Sequence, residues 1–169
     1  MRANILAATV TLILAVGFTA PIWCAEKFDA KSERIDGLRL GLSGKTLAVD
    51  LSCGQPRMSK ATFEAATGLY VQDWGLPECG ITLHMASERK GGTEVIASIT
   101  VTAPSHLATS REIHIGSTED DVSKAYGTVR DDESSTSGEM FVAGSIYDGL
   151  VFTLKNRKVV KIFLGAAAE

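Results

Sequence analysis

Two short motifs near residue 44 contain residue types that could bind phosphate or attack an acyl group. Residues 44–46 (Gly-Lys-Thr) place a lysine and a hydroxyl after a glycine, as in loops that hold phosphate and magnesium. Such a loop needs a further glycine five residues earlier, and Arg39 stands there. Residues 41–44 (Gly-Leu-Ser-Gly) are similar to a nucleophile elbow, but Lys45 occupies the place of its second glycine. We therefore interpret Ser43 as a helix cap.

Three histidines and one acidic run are the other groups that could support catalysis or metal binding. A serine hydrolase needs a histidine and an acid beside its nucleophile, and the spacing of His84, His106 and His114 indicates no such arrangement. His84 alternates with apolar neighbours, which predicts a side chain that faces solvent. We interpret residues 131–133 (Asp-Asp-Glu) as part of a solvated, mobile loop over residues 130–139, with calcium binding as the alternative. We accordingly expect no enzyme, no metal and no cofactor.

The composition is that of an ordinary globular protein. The chain has 169 residues, of which 45% are hydrophobic and 22% are charged, with 17 Lys and Arg against 20 Asp and Glu. These values exclude a collagen, a coiled-coil rod and a disordered tail. Because the net charge is −3, the chain cannot neutralise a run of phosphates, and we expect no nucleic-acid partner.

The first 25 residues have the layout of a secretory signal peptide. Arg2 precedes an uncharged apolar run at 5–18, and a small residue, Ala25, marks the expected cleavage site. The run is too short to span a membrane, so the mature chain is expected to have no transmembrane segment and to be periplasmic or secreted. A lipid anchor at Cys24 is the alternative, but the large side chain of Trp23 before it disfavours that modification.

The mature chain then contains two cysteines. An even number of cysteines in an exported protein favours a disulfide between Cys53 and Cys79. Metal ligation is the alternative, but the histidines have no ligand spacing to these cysteines.

The chain contains two similar stretches. Around Gly41 and again around Gly116, alternating apolar residues lead into a glycine, then a hydroxyl residue, then a helical pattern. Each stretch is followed by apolar segments in which β-branched residues are common, and these segments predict strands at 81–85, 95–101, 150–154 and 159–164. We expect a first repeat over residues 26–103, which contains the disulfide, and a second over 104–169.

Local signals place the helices of these repeats. Thr118 and Asp121 predict a capping box at the start of a helix that ends at Gly127 in the left-handed conformation. Residues 59–68 predict a second short helix in the first repeat, beginning at Ser59. The predicted fold is therefore α+β, with two tandem helix-plus-antiparallel-meander repeats that share or abut an antiparallel sheet.

This pattern resembles two related families. Single copies resemble the small outer-membrane lipoproteins of the SmpA/OmlA type, and the tandem pair resembles the β-lactamase inhibitor protein family. The residues that carry the resemblance are Gly41, Leu42, Ser43, Leu47, Gly80, Gly116, Ser117, Thr118, Val122, Ala125, Tyr126, Gly127 and Gly149. The resemblance covers most of residues 35–165 and implies an α+β fold with an open antiparallel sheet that binds a protein.

Four aromatic residues are candidates for contact with that protein. Tyr70 and Trp74 are four residues apart and would share one face of a strand, while Phe141 and Tyr147 occupy comparable places in the second repeat. Large aromatic side chains dominate protein interfaces, and the alternative is that these four form the core. We expect Trp74 or Tyr147 to be exposed on the sheet face.

Three functions are compatible with these observations. The first is an exported, non-enzymatic binding protein that inhibits or neutralises another protein, such as a hydrolase or a toxin. The second is a cell-envelope structural or assembly factor of the SmpA/OmlA type. The third is an enzyme or carrier with a cleft for a small ligand, which requires a concave apolar pocket.

Overall fold

The computed structural model describes residues 27–50 and 53–167. Within them the chain forms two short α-helices and eight β-strands. The helices are α1 (Gly44–Asp50) and α2 (Glu119–Tyr126). The strands are β1 (Arg57–Met58), β2 (Thr62–Glu64), β3 (Leu69–Leu76), β4 (Ile81–Ser87), β5 (Val95–Thr102), β6 (Met140–Ala143), β7 (Gly149–Lys155) and β8 (Lys158–Gly165).

All eight strands belong to one antiparallel sheet. Its order is β1-β3-β4-β5-β8-β7-β6, and β2 also pairs with β3. The pairing of β5 with β8, in which Ile99 lies opposite Leu164, joins the two halves of the chain into a continuous surface. The strands predicted at 81–85, 95–101, 150–154 and 159–164 are confirmed as β4, β5, β7 and β8. They were predictable because apolar and β-branched residues mark strands that bury one face of a sheet.

The predicted fold class is wrong. Instead of two helix-plus-meander repeats, the described residues form a predominantly β structure with one eight-stranded sheet. The helices contribute only seven and eight residues within the described part of the chain. The helix predicted over 59–68 is also absent there, because this segment forms β2 and a turn. Phe63 pairs with Tyr70 across that hairpin, and this contact outweighs the local helical preference.

One face of the sheet carries the core. Leu83, Ile99 and Ile162 on three successive strands are fully buried there. Helix α1 packs on this face so closely that a Cβ added to Gly44 would lie 2.6 Å from the Trp74 ring. This close packing accounts for the glycine at position 44 without any phosphate.

Helix α2 packs on the same face at the other end of the sheet. The Tyr126 ring centre lies 5.4 Å from that of Phe152, and the ring centre of Phe28, before α1, lies 6.4 Å from that of Tyr126. The buried Glu33 carboxylate accepts a hydrogen bond of 3.2 Å from the Tyr126 hydroxyl and one of 3.0 Å from the Ser110 amide. The segment before α1 is therefore fixed over the core.

The capping box of α2 is confirmed, but its predicted end is not. Thr118 and Asp121 exchange the two side-chain-to-backbone hydrogen bonds, and the Thr118 hydroxyl holds the pKa of the Asp121 carboxyl below its usual value. Gly127 has φ −59° and ψ −32°, so it is right-handed. The helix tightens into a 3₁₀ turn at Gly127–Val129 instead of stopping at a left-handed glycine.

The predicted solvated loop at 130–139 covers the β6 edge of the sheet. The Asp131 amide donates to the Val142 carbonyl over 2.9 Å, and the Val142 amide donates to the Ser135 hydroxyl over 3.0 Å. The buried Glu119 carboxylate accepts from the Gly138 amide, and this bond lowers the pKa of Glu119 against the opposing effect of burial. These bonds occupy backbone groups that an edge strand would otherwise expose.

The predicted Cys53–Cys79 disulfide is confirmed, with a Cα–Cα distance of 5.7 Å. It is consistent with an oxidising compartment. No helix in the described part of the chain is long and apolar enough to cross a bilayer. The predicted signal peptide and the alternative lipid-anchor position, Cys24, lie outside the described residues.

Candidate functional site

The sheet face opposite the helices is the candidate site, and we call it the open face. Strand residues alternate between the core and this face, and in β3, β4, β5, β8 and β7 its members are mostly half-buried or exposed. They are Val71, Asp73, Gly75, Thr82, His84, Ser98, Thr100, Thr102, Lys161, Phe163 and Thr153. Both described helices lie on the other side, so neither covers this surface.

A histidine and an aspartate form a short polar contact on the open face. Asp73 lies directly opposite His84 in the β3–β4 register, and Asp73 Oδ1 is 2.8 Å from His84 Nδ1. Because an ionised carboxylate only accepts, Nδ1 carries the proton and donates it. Asp73 therefore orients the ring, and Nε2 is left to accept or donate toward a molecule on the face. The predicted exposure of His84 is confirmed, with 37% of the side chain accessible.

The register places Ser98 opposite His84 on the other side. Asp73, His84 and Ser98 thus occupy neighbouring strands in one row, which brings together the residue types of a serine hydrolase. A hydrogen bond connects His84 to Asp73. Each of the three side chains can also hydrogen-bond to a molecule that docks on this face.

Phe163 is the largest apolar side chain on the open face. It lies between Thr100 of β5 and Val151 of β7, and it is half-buried. Lys161, two residues earlier on the same face, is exposed between Thr102 and Thr153. The sequence did not single out Phe163, because five of the six residues at 159–164 are apolar and only the register shows which of them face the open side.

Tyr147 is 63% exposed, which confirms its predicted exposure but not its predicted place on the sheet face. It lies in the turn between β6 and β7, not on a strand. A Cβ added to Gly149 would point to the open face and meet the Ser145 carbonyl at 2.2 Å, so this turn folds over that side of the sheet. Near it Val142 and Val151 are buried, and the accessible part of the face ends there.

Two of the other predicted contact residues lie in the core. Trp74 is 8% exposed beneath α1, and Phe141 is 2% exposed with its ring 6.2 Å from Phe152. Trp74 does share a face with Tyr70, as the spacing predicted, but that face is the one the helices cover. The aromatic spacing identified the shared face and could not tell which side of the sheet was covered.

Tyr70 lies at the β1–β2 edge of the sheet, beyond α1. It is half-buried, and its ring centre is 5.3 Å from that of Phe63, which is 58% exposed. Met58 is 55% exposed on the same edge. This edge is a second exposed apolar surface, separate from the open face.

The remaining predicted groups are held by local hydrogen bonds. The amide of Gly44 donates to the Glu94 carbonyl over 2.9 Å, so it is engaged within the fold and not free for an anion. The Asp131 carboxylate accepts from the Glu133 amide over 3.1 Å, and hydrogen bonding from Ser134 lowers the pKa of Asp131. Among the described residues, no three His, Cys, Asp or Glu side chains are grouped as metal ligands.

Comparison of the chain with protein-family models, with curated proteins and with solved structures finds no match in any of the three.

Proposed function

We propose that this is an exported, non-enzymatic protein that binds another protein through the open face and thereby inhibits or neutralises it. Its target would be a protein of the periplasm or the secreted fraction, such as a hydrolase or a toxin. The observation that carries the proposal is the open face itself, a sheet surface of mixed chemistry that the described helices leave uncovered.

The chemistry of the open face supports a protein partner. An interface combines an apolar centre with hydrogen-bonding groups around it, and it is enriched in aromatic residues. Phe163 supplies such an apolar group, Thr100 lies directly opposite it, Ser98 and Thr82 follow on β5 and β4, and Tyr147 is exposed in the adjoining turn. Across β3, β4, β5, β8 and β7, four strand spacings of about 4.8 Å make the surface about 19 Å wide.

The arrangement of charge supports recognition of a specific partner. The Asp73–His84 pair lies on β3 and β4, while Lys161 lies across the face on β8. A partner must match both charged regions, and mismatched charge at an interface is costly. The Cys53–Cys79 disulfide is consistent with action in an oxidising compartment.

The test is affinity capture with variants of the open face. The oxidised protein is immobilised and exposed to cell-envelope and secreted proteins, and a retained protein is then purified and titrated. We expect Phe163→Ala and His84→Ala each to weaken its binding by about tenfold or more, as central interface residues do.

Phe63→Ala is the matched control, because it removes an exposed aromatic side chain from the β1–β2 edge instead of the open face. It should leave the affinity unchanged if all variants keep the wild-type melting temperature. If Phe63→Ala abolishes binding and Phe163→Ala does not, the open face is not the interface. Catalytic turnover of the captured protein by this chain would contradict the proposed binding role.

A further inference from the structure

A cavity of about 560 Å³ lies on the helix side of the molecule, away from the open face. Its apolar lining consists of Leu38, Leu42, Leu47, Pro104, Leu107 and the Cys53–Cys79 disulfide. Sites for small molecules have volumes of about 300 to 1,000 Å³ and are lined mostly by apolar groups with a few polar ones. The cavity therefore has the size and the lining of a ligand site.

Much of the wall of the cavity is apolar and remains partly exposed to solvent. Leu42, Leu107 and both half-cystines pack against the core but are only partly buried. A ligand with an apolar body would remove this surface from water, and each buried methylene would increase affinity about fourfold.

Two carboxylates, with the polar side chains of Thr46, Ser105 and His106, line the cavity. Asp36 and Glu78 both line it and are exposed, so their carboxylates remain in contact with water. Asp36 Oδ2 accepts a 3.2 Å hydrogen bond from the Ala108 amide, which holds that carboxylate in place. The described lining includes His106 but no lysine or arginine. The local field therefore favours a cation.

We propose that this cavity binds a small amphipathic cation, with an apolar body against Leu38, Leu42 and Leu107 and an amine or quaternary ammonium group beside Asp36 and Glu78. The site is independent of the open face, so its failure would leave the proposed protein interface intact. The two carboxylates select the sign of the ligand's charge, while the leucines and the disulfide supply most of its affinity.

The test uses three probes that share one alkyl chain: octylammonium, octanol and octanoate. Each is titrated into the oxidised protein by calorimetry at pH 7. We expect octylammonium to bind most tightly and octanoate most weakly, with about a tenfold difference between the two ions. Equal affinities for the three probes, or no saturable binding of octylammonium, would overturn the proposal.

Variants that remove the two carboxylates test whether they cause the preference for octylammonium. Asp36 has φ +48°, a conformation that asparagine tolerates, so Asp36→Asn combined with Glu78→Gln removes both charges without forcing the backbone. We expect this double variant to lose the preference for octylammonium and to keep the wild-type affinity for octanol. Glu133→Gln, on the 130–139 loop, is the control and should keep the preference. If the double variant keeps it too, or if the control loses it equally, the two carboxylates do not form the site.

Discussion

Replacement of Tyr126 by phenylalanine tests how the amino-terminal segment is held on the core. Tyr126 is fully buried, and its hydroxyl donates to the Glu33 carboxylate over 3.2 Å. Burial, reinforced by the nearby negative charge of Glu33, raises the pKa of Tyr126 to about 12 from 10.0. The phenol is therefore held in its neutral form where a free tyrosine would ionise.

The effect on stability follows from the sign of this shift. Because the pKa is higher in the folded state, the stabilisation is fully present below pH 10 and is lost as the pH rises toward 12. Two pKa units correspond to about 2 to 3 kcal/mol. At neutral pH, Tyr126→Phe removes a hydrogen bond to a charged group and should cost about 1.5 to 3 kcal/mol. Phenylalanine does not ionise, so the variant does not lose this stabilisation at high pH. The unfolding free energies of wild type and Tyr126→Phe should therefore converge as the pH rises.

Urea denaturation monitored by tryptophan fluorescence at pH 8, 10 and 11.5 measures this convergence. We expect the free-energy difference between wild type and Tyr126→Phe to shrink steadily above pH 10. Tyr147→Phe is the control, because Tyr147 is 63% exposed and its replacement should change stability little at any of these pH values. A Tyr126→Phe difference that stays constant from pH 8 to 11.5 would refute the reasoning.

Three further substitutions test local features of the fold. Cys53→Ser should lower the unfolding free energy by about 3 to 4 kcal/mol, as expected for a disulfide between residues separated by 26 positions, and reduction of the wild type should have the same effect. Thr118→Ala removes the cap of α2 and should cost about 1 kcal/mol in urea denaturation, while Thr118→Ser should restore most of it. Gly44→Ala places a methyl group 2.6 Å from the Trp74 ring and should cost about 1 to 3 kcal/mol with a shifted fluorescence maximum. An unchanged melting temperature in Gly44→Ala would show that α1 does not pack as described.

Local features of the fold were predictable where one residue pattern has one physical explanation. The capping box at Thr118 and Asp121 is such a case, because both hydrogen bonds form within a single turn. The disulfide is another, since two cysteines that follow a predicted signal peptide have few alternatives. The helix predicted over residues 59–68 was wrong because β2, within this segment, forms by pairing with β3. A local helical pattern carries no information about such pairing.

The open face was less predictable because it depends on sheet register and on which side the helices occupy. Asp73 and His84 are eleven positions apart and meet only because the β3–β4 hairpin aligns them. Trp74, next to Asp73, points to the opposite side and lies in the core. The prediction based on aromatic residues therefore chose Trp74, whereas its neighbour Asp73 lies at the candidate site.

Lysine modification of the complex tests the central claim most directly. Lys161 is exposed on the open face, and Lys45 is exposed on α1 on the opposite side of the sheet. Reductive methylation is carried out on the free protein and on the protein saturated with its captured partner. It compares the reactivity of the Lys161 and Lys45 amines within one molecule. The proposal predicts that the partner protects Lys161 and leaves Lys45 as reactive as in the free protein. Protection of Lys45 with undiminished modification of Lys161 would contradict it.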